Sequence, residues 1–109
     1  EKAFGLKQRF LHQSGAYGEL DTGGTALAFV DHATARDSVG RDYVVAADSA
    51  APLGMEIGFT TADVPAAFAR AVEAGATALS APVSKPWGQT VAYVRCPDGT
   101  LVELCTPMS

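Results

Sequence analysis

Two glutamates, Glu56 and Glu103, lie in the middle of segments that otherwise have the composition of β-strands. A carboxylate in such a position is costly to bury unless it is paired, hydrogen-bonded or next to a wet cavity. We therefore expect both side chains to face one cleft from neighbouring strands, where their charges would attract cations and couple their titrations. The chemistry open to such a pair is the binding of an organic cation or the coordination of a divalent metal ion.

The last hairpin of the chain must position Glu103. Residues 87–95 and 100–105 are rich in Val, Leu, Tyr and Thr, and the turn residues Pro, Asp and Gly occupy positions 97–99 between them. This pattern predicts a strand, a tight turn and a second strand. The period of two along each strand then places Tyr93 opposite Glu103 on one face of the sheet.

Two aromatic residues accompany the predicted carboxylate pair. Tyr93 is expected beside Glu103, and Trp87 lies at the mouth of the loop that leads into the hairpin. Both rings are suited to stack on a flat or cationic ligand. Ordinary packing at a sheet edge or at a dimer interface explains the two rings equally well. We therefore predict a ligand-binding set that consists of Glu56, Glu103, Tyr93 and Trp87.

Length and composition limit the classes of function. A chain of 109 residues with 48% hydrophobic and 18% charged residues predicts one globular domain. The net charge of -4 argues against a nucleic-acid surface and against binding to anionic lipid, and it favours a cationic partner. No apolar run approaches the roughly 20 residues that cross a bilayer. Cys96 and Cys105 do not fall opposite each other in the predicted hairpin, so we expect free thiols and a cytoplasmic protein.

The second half of the chain has the pattern strand, helix, strand, strand, strand. Residues 55–60 predict a strand, and the helix after it is capped by Thr61 or Asp63 and ends at Gly75. The remaining elements are a short strand at 77–80, a loop at 81–86 and the final hairpin.

The first half repeats the later part of this pattern. Strands are predicted at 7–12, 16–21 and 25–30, and the polar stretch that follows them predicts a connector. Residues 24–29 echo residues 99–104, and residues 1–5 echo the end of the predicted helix at Gly75. We therefore predict an α+β fold of two βαβββ modules in which the first strand and most of the first helix are missing.

We expect a single domain over residues 1–109. Its parts are a truncated first module at 1–31, a connector at 32–53 and a second module at 54–109. The core positions expected from strand parity are Leu27, Phe29, Ile57, Phe59, Val102 and Leu104.

At the level of motifs, the chain resembles the vicinal oxygen chelate superfamily, which includes glyoxalase I, extradiol dioxygenases and bleomycin-resistance proteins. The resemblance implies two curved sheets that enclose a cleft, each with a helix on its outer face, and it implies a homodimer. The matching segments are residues 1–6, Glu-Ile-Gly-Phe-Thr-Thr-Ala-Asp-Val at 56–64, the helix at 66–75, Lys-Pro-Trp-Gly at 85–88 and Pro-Asp-Gly-Thr-Leu-Val-Glu-Leu at 97–104.

In members that use a metal, the resemblance implies ligands on the first and last strands of each module. Glu56 and Glu103 occupy two of these positions, and Ala28 occupies a third and binds nothing. His12 and His32 fall at neither matching position. A catalytic metal generally needs about three protein ligands.

Two functions therefore stay open. The first is a protein without a cofactor that sequesters an aromatic or cationic small molecule, as bleomycin-resistance proteins do. The alternative is a metal-dependent lyase, isomerase or dioxygenase in which Glu56, Glu103 and an upstream residue bind Fe, Mn, Ni or Zn. A structural dimer with a vestigial cleft is a third possibility.

Overall fold

The computed structural model describes residues 1–108, and within them it contains seven β-strands and two α-helices. Two compact units are present: the first holds Glu1 and residues 5–44, and the second holds residues 2–4 and 45–108. The strands are β1 Lys7–Leu11, β2 Tyr17–Asp21, β3 Leu27–Val30, β4 Glu56–Thr60, β5 Thr77–Ser84, β6 Thr90–Arg95 and β7 Leu101–Cys105. The helices are α1 His32–Val39 and α2 Val64–Glu73, and a single 3-10 turn forms at Ala46–Asp48.

The first unit is a three-stranded antiparallel sheet in the order β1-β2-β3, followed by α1. The sequence pattern indicated only a connector where α1 forms. Asp31 caps this helix by accepting a hydrogen bond from the backbone N–H of Thr34 at 2.8 Å, and Gly40 ends it with φ 81. None of its residues is buried. An exposed helix without an apolar stripe has no hydrophobic periodicity by which to be detected.

The second unit has a four-stranded sheet in the order β4-β7-β6-β5, in which β4 runs parallel to β7 and the other pairs are antiparallel. Helix α2 connects β4 to β5 and packs on β5, β6 and β7. Its N-cap is Asp63, which accepts a hydrogen bond from the backbone N–H of Ala66 at 3.1 Å. Gly75 follows the helix with φ 116, as expected of a glycine that ends a helix. The predicted α+β class and the βαβββ order of the second half are confirmed.

Strand β5 is longer than the sequence predicted. The sequence pattern predicted a loop at 81–86, which contains Pro82, but the strand continues through Ser84. A proline is tolerated there because β5 lies at the edge of its sheet and its pairing with β6 is irregular between Ser80 and Val83.

The core of the second unit lies between α2 and the sheet. Val102 and Leu104 are each 2% exposed, which confirms their assignment to the core. The prediction was wrong for Phe29, which is 48% exposed, because α1 does not pack on the β1-β2-β3 sheet as α2 packs on the other sheet. Leu27, Ile57 and Phe59 are half-buried. The buried residues of this core are Val64, Ala71, Ala76, Ala92, Val94, Val102 and Leu104.

Candidate functional site

The hairpin of β6 and β7 places Tyr93 directly opposite Glu103, in the predicted register. The Tyr93 hydroxyl donates a hydrogen bond to Oε2 of Glu103 at 2.9 Å. The register is fixed by the turn, in which the Gly99 N–H bonds the Cys96 carbonyl and the Cys96 N–H bonds the Thr100 carbonyl, both at 2.9 Å. The pair is therefore set by the turn and by the period of the strands.

Strand β4 brings Glu56 to the same face of the sheet. Because β4 pairs with β7 with Gly58 opposite Glu103, Glu56 stands one side-chain position away along the same face. Gly58 leaves Glu103 open on this side, since a Cβ at Gly58 would lie 3.7 Å from Oε1 of Glu103. Glu103 is half-buried and Glu56 is exposed. The two predicted carboxylates thus share one face and neighbouring strands.

On this face the neutral phenol of Tyr93 lies beside the carboxylates of Glu103 and Glu56. The hydrogen bond to Glu103 is the largest cause that raises the pKa of Tyr93 to about 12, and burial and the charges of Glu103 and Glu56 add to it. Tyr93 is therefore a neutral donor at physiological pH. It uses one oxygen of Glu103 and leaves Oε1 as an acceptor, so the face retains the charge of both carboxylates and favours a cation.

Arg95 is a residue of this face that the sequence analysis did not select. Its Nη2 donates to the backbone carbonyls of Ala46 and Ser49, each at 2.8 Å. Gly99 makes room for the same segment, because a Cβ there would come within 2.3 Å of the Ala46 carbonyl carbon. Its guanidinium bonds these two carbonyl oxygens and so anchors the 46–49 segment, and within residues 1–108 Arg95 forms no ion pair with Glu103.

Trp87 is not joined to the other three predicted residues. It lies in the turn between β5 and β6, it is 62% exposed, and its Nε1 donates to Oε1 of Gln89 at 2.8 Å. Gln89 in turn donates to the Thr106 carbonyl at 2.8 Å, which ties the turn to the chain just after β7. Across residues 1–108 the Trp87 ring makes no ring contact with Tyr93.

The two cysteines are free thiols, as expected, and neither is activated as a nucleophile. Burial is the main cause that raises the pKa of Cys105, and the nearby carboxylates of Glu103 and Glu56 raise it further. Its thiol donates to the Phe59 carbonyl at 3.7 Å. Burial also raises the pKa of Cys96, with Asp98 as a second cause. Reactive cysteines need the opposite shift, toward the thiolate.

Sequence and structure comparisons decide the family. Residues 5–109 match the family model of the glyoxalase-like domain. The chain belongs to this family. It is thereby a member of the vicinal oxygen chelate superfamily. No curated protein sequence is significantly similar to this glyoxalase-like chain.

Solved structures share the fold of this glyoxalase-like protein. A glyoxalase-related enzyme from Fulvimarina pelagi is 22% identical with a TM-score of 0.83, over 97% of this chain and 73% of that one. A glyoxalase/bleomycin resistance protein/dioxygenase family enzyme from Burkholderia phytofirmans PsJN is 19% identical with a TM-score of 0.74, over 96% and 82%. TioX from Micromonospora sp. ML1 is 27% identical with a TM-score of 0.63, over 96% and 81%.

Within residues 1–108, two carboxylates are the donors that this face offers to a metal ion. Within residues 1–108, no group of three or more His, Cys, Asp or Glu side chains is arranged to hold one. Glu56 and Glu103 supply two carboxylates, and Ala28 supplies no ligand. His12 and His32 bond Ser14 and Tyr43 in the first unit, at 2.8 and 2.7 Å. About three protein ligands would be required. In the same range neither helix is long and apolar enough to span a membrane.

Proposed function

We propose that this glyoxalase-like protein binds and sequesters a small aromatic cation without a metal ion, on the sheet face formed by Glu56, Tyr93 and Glu103. The observation that carries the proposal is the state of Glu103. This carboxylate is half-buried, it makes no ion pair in residues 1–108, and its hydrogen-bond partner Tyr93 is neutral. A half-buried charge without a counter-charge is costly, and a cationic ligand would remove that cost.

The composition of the face supports a cation over other ligands. An anion would be repelled by Glu56 and Glu103, and a neutral apolar ligand would cover Glu103 without satisfying its open oxygen. Tyr93 offers a ring beside the carboxylates, and Trp87 offers a second, exposed ring at the adjoining turn. Sequestration needs no reacting group, which agrees with the inactive thiols and the incomplete set of metal donors.

The proposal includes a homodimer in the cytoplasm. The superfamily resemblance motivates the dimer, and the free thiols Cys96 and Cys105 are compatible with a reducing compartment. Sedimentation equilibrium measures the oligomeric state directly, and a mass equal to one chain would contradict the dimer.

Titration with bleomycin, a compound that combines aromatic rings with cationic groups, tests the proposal. Binding is followed by calorimetry and by the fluorescence of Trp87, the single tryptophan of the chain. Glu103→Gln keeps the shape of the side chain and removes its charge, so we expect about tenfold weaker binding, equivalent to ~1.4 kcal/mol. Asp37→Asn makes the same change of net charge at an exposed position of α1 and should leave the affinity unchanged.

Two outcomes would overturn the proposal. Equal loss of affinity in the Glu103 and Asp37 variants would show that binding depends on net charge alone. Stoichiometric Fe, Mn, Ni or Zn in protein purified without chelator would instead support the metal-dependent alternative, and Glu56→Gln and Glu103→Gln would then both release the metal.

A further inference from the structure

The first unit contains a second carboxylate that is held by a tyrosine. Glu19 lies in β2, the middle strand of the three-stranded sheet, and it is half-buried. The Tyr17 hydroxyl donates a hydrogen bond to Oε2 of Glu19 at 2.6 Å. Within residues 1–108 no lysine, arginine or histidine forms an ion pair with Glu19. One of its oxygens is therefore bound by a neutral donor, and the negative charge has no counter-charge.

A bulge in β1 determines what lies across from Glu19. Gln8 pairs with Leu20, so a regular antiparallel ladder would place the next residue, Arg9, opposite Glu19. The register shifts between Gln8 and Phe10, and Phe10 takes that place instead. Bulges redirect side chains in this way. Arg9 would have placed a cation opposite Glu19, but the bulge places the aromatic ring of Phe10 in that position.

The surroundings of Glu19 form an open site with aromatic walls. Glu19 has two cross-strand neighbours, Phe10 on β1 and Ala28 on β3. Because the Ala28 side chain is small, it leaves the β3 side of Glu19 uncovered. The rings of Phe10 and Tyr17 are 6.2 Å apart at an angle of 55°. Phe10 is 47% exposed, which leaves its ring available to a ligand.

We propose that Glu19, Tyr17 and Phe10 form a binding site for a small organic ammonium ion on the β1-β2-β3 sheet, whereas Glu103 belongs to the other sheet. A carboxylate provides the charge, and two aromatic rings attract a cation through their faces. One carboxylate is too few for a divalent metal ion, which takes six or more oxygen ligands in the case of calcium. A neutral apolar ligand would leave the charge of Glu19 uncompensated.

A titration with tetramethylammonium chloride, followed by NMR chemical shifts of the complete chain, tests this site. We expect saturable shifts at residues around Glu19, and no saturable shifts there with sodium chloride or with tert-butanol, an uncharged molecule of similar size. Glu19→Gln should weaken the affinity at least fivefold, and Phe10→Leu should weaken it by a smaller factor, since each removes one of the two attractions. Tyr17→Phe tests the hydrogen bond separately and keeps the ring.

Glu103→Gln is the matched control, because it removes the carboxylate of the other face and should leave the shifts around Glu19 intact. The inference is overturned if Glu19→Gln binds tetramethylammonium as tightly as the unaltered chain, or if the shifts around Glu19 disappear in the Glu103 variant. Failure of bleomycin binding at Glu103 would overturn the proposed function and leave this inference standing, so the two can fail separately.

Discussion

Replacement of Glu103 by glutamine should lower the pKa of Tyr93 from about 12 toward the ordinary value of 10.0. The carboxylate accepts the phenolic proton in a hydrogen bond and also repels the phenolate that forms when this proton is lost. Glutamine can accept the same hydrogen bond but carries no charge. We expect a decrease of about one unit, because burial of the phenol and the charge of Glu56 remain.

The shift also sets a contribution to stability whose sign can be stated. The folded pKa of Tyr93 lies above its unfolded value, so the folded chain retains the proton over a range in which the unfolded chain has lost it. The stabilisation is therefore complete below about pH 10 and is lost as the pH rises through about 12. Two units would correspond to about 2.7 kcal/mol. Tyr93 is partly exposed, and solvent screening reduces the expected contribution to ~1 kcal/mol.

Ultraviolet difference spectroscopy of tyrosine ionisation measures this pKa. The chain has three tyrosines, and subtraction of the titration of Tyr93→Phe from that of the unaltered chain isolates the step that belongs to Tyr93. An isolated step close to pH 10, or a step that does not move in Glu103→Gln, would refute the bond between Tyr93 and Glu103. The proposed state of Glu103, one oxygen bound and one open, would then have no basis.

Three further predictions concern the scaffold of the site, and each is measured as a change in the free energy of unfolding. Leu104→Ala should lower it by about 3 kcal/mol in urea denaturation, because the side chain is 2% exposed, and a loss below ~1 kcal/mol would contradict its place in the core. Gly99→Ala should lower the free energy of unfolding by about 2 kcal/mol or more, because Gly99 has φ 92 and an added Cβ would lie 2.3 Å from the Ala46 carbonyl carbon. Gly24→Ala is the control, since its added Cβ meets no atom, and it should change the free energy of unfolding by no more than ~0.5 kcal/mol. Equal losses in the two variants would contradict the turn as described. Asp63→Ala should cost about 1 kcal/mol in thermal unfolding by removal of the cap of α2, and an unchanged midpoint would show that the cap is not formed.

Local chemistry made the second unit predictable. The turn at 97–99 fixes the register of β6 and β7, and the period of two then places Tyr93 opposite Glu103. The cap at Asp63 and the apolar stripe of α2 both indicate a helix. A helix can be predicted from sequence when its capping residue and the residues that it buries indicate the same element, as they do here. The face shared by Glu56 and Glu103 follows from these elements, since the sheet order places β4 beside β7.

Other features depend on contacts or irregularities that residue types do not encode. The guanidinium of Arg95 bonds backbone carbonyls at Ala46 and Ser49, which are distant in sequence and could have belonged to any residue type. Helix α1 has a cap at Asp31 but no apolar stripe. The bulge before Phe10 shifts the register of β1 by one residue, and a shift of one residue exchanges the two faces of a strand.

The two sheets differ in which strand bears the carboxylate, and this difference bears on the choice between metal binding and cation binding. Glu103 lies on the last strand of its sheet opposite Tyr93, whereas on the first sheet Ala28 lies on the last strand and Glu19 lies opposite it, on the middle strand. The metal-ligand positions that the superfamily resemblance implies include Ala28, which carries no donor atom, and do not include Glu19. Binding of an organic cation has no such requirement, because a charge beside an aromatic ring attracts an ammonium group from either strand. Each sheet contains a half-buried glutamate that accepts a hydrogen bond from a tyrosine and pairs on its other side with a small residue, Ala28 or Gly58, and we propose a cationic ligand for both.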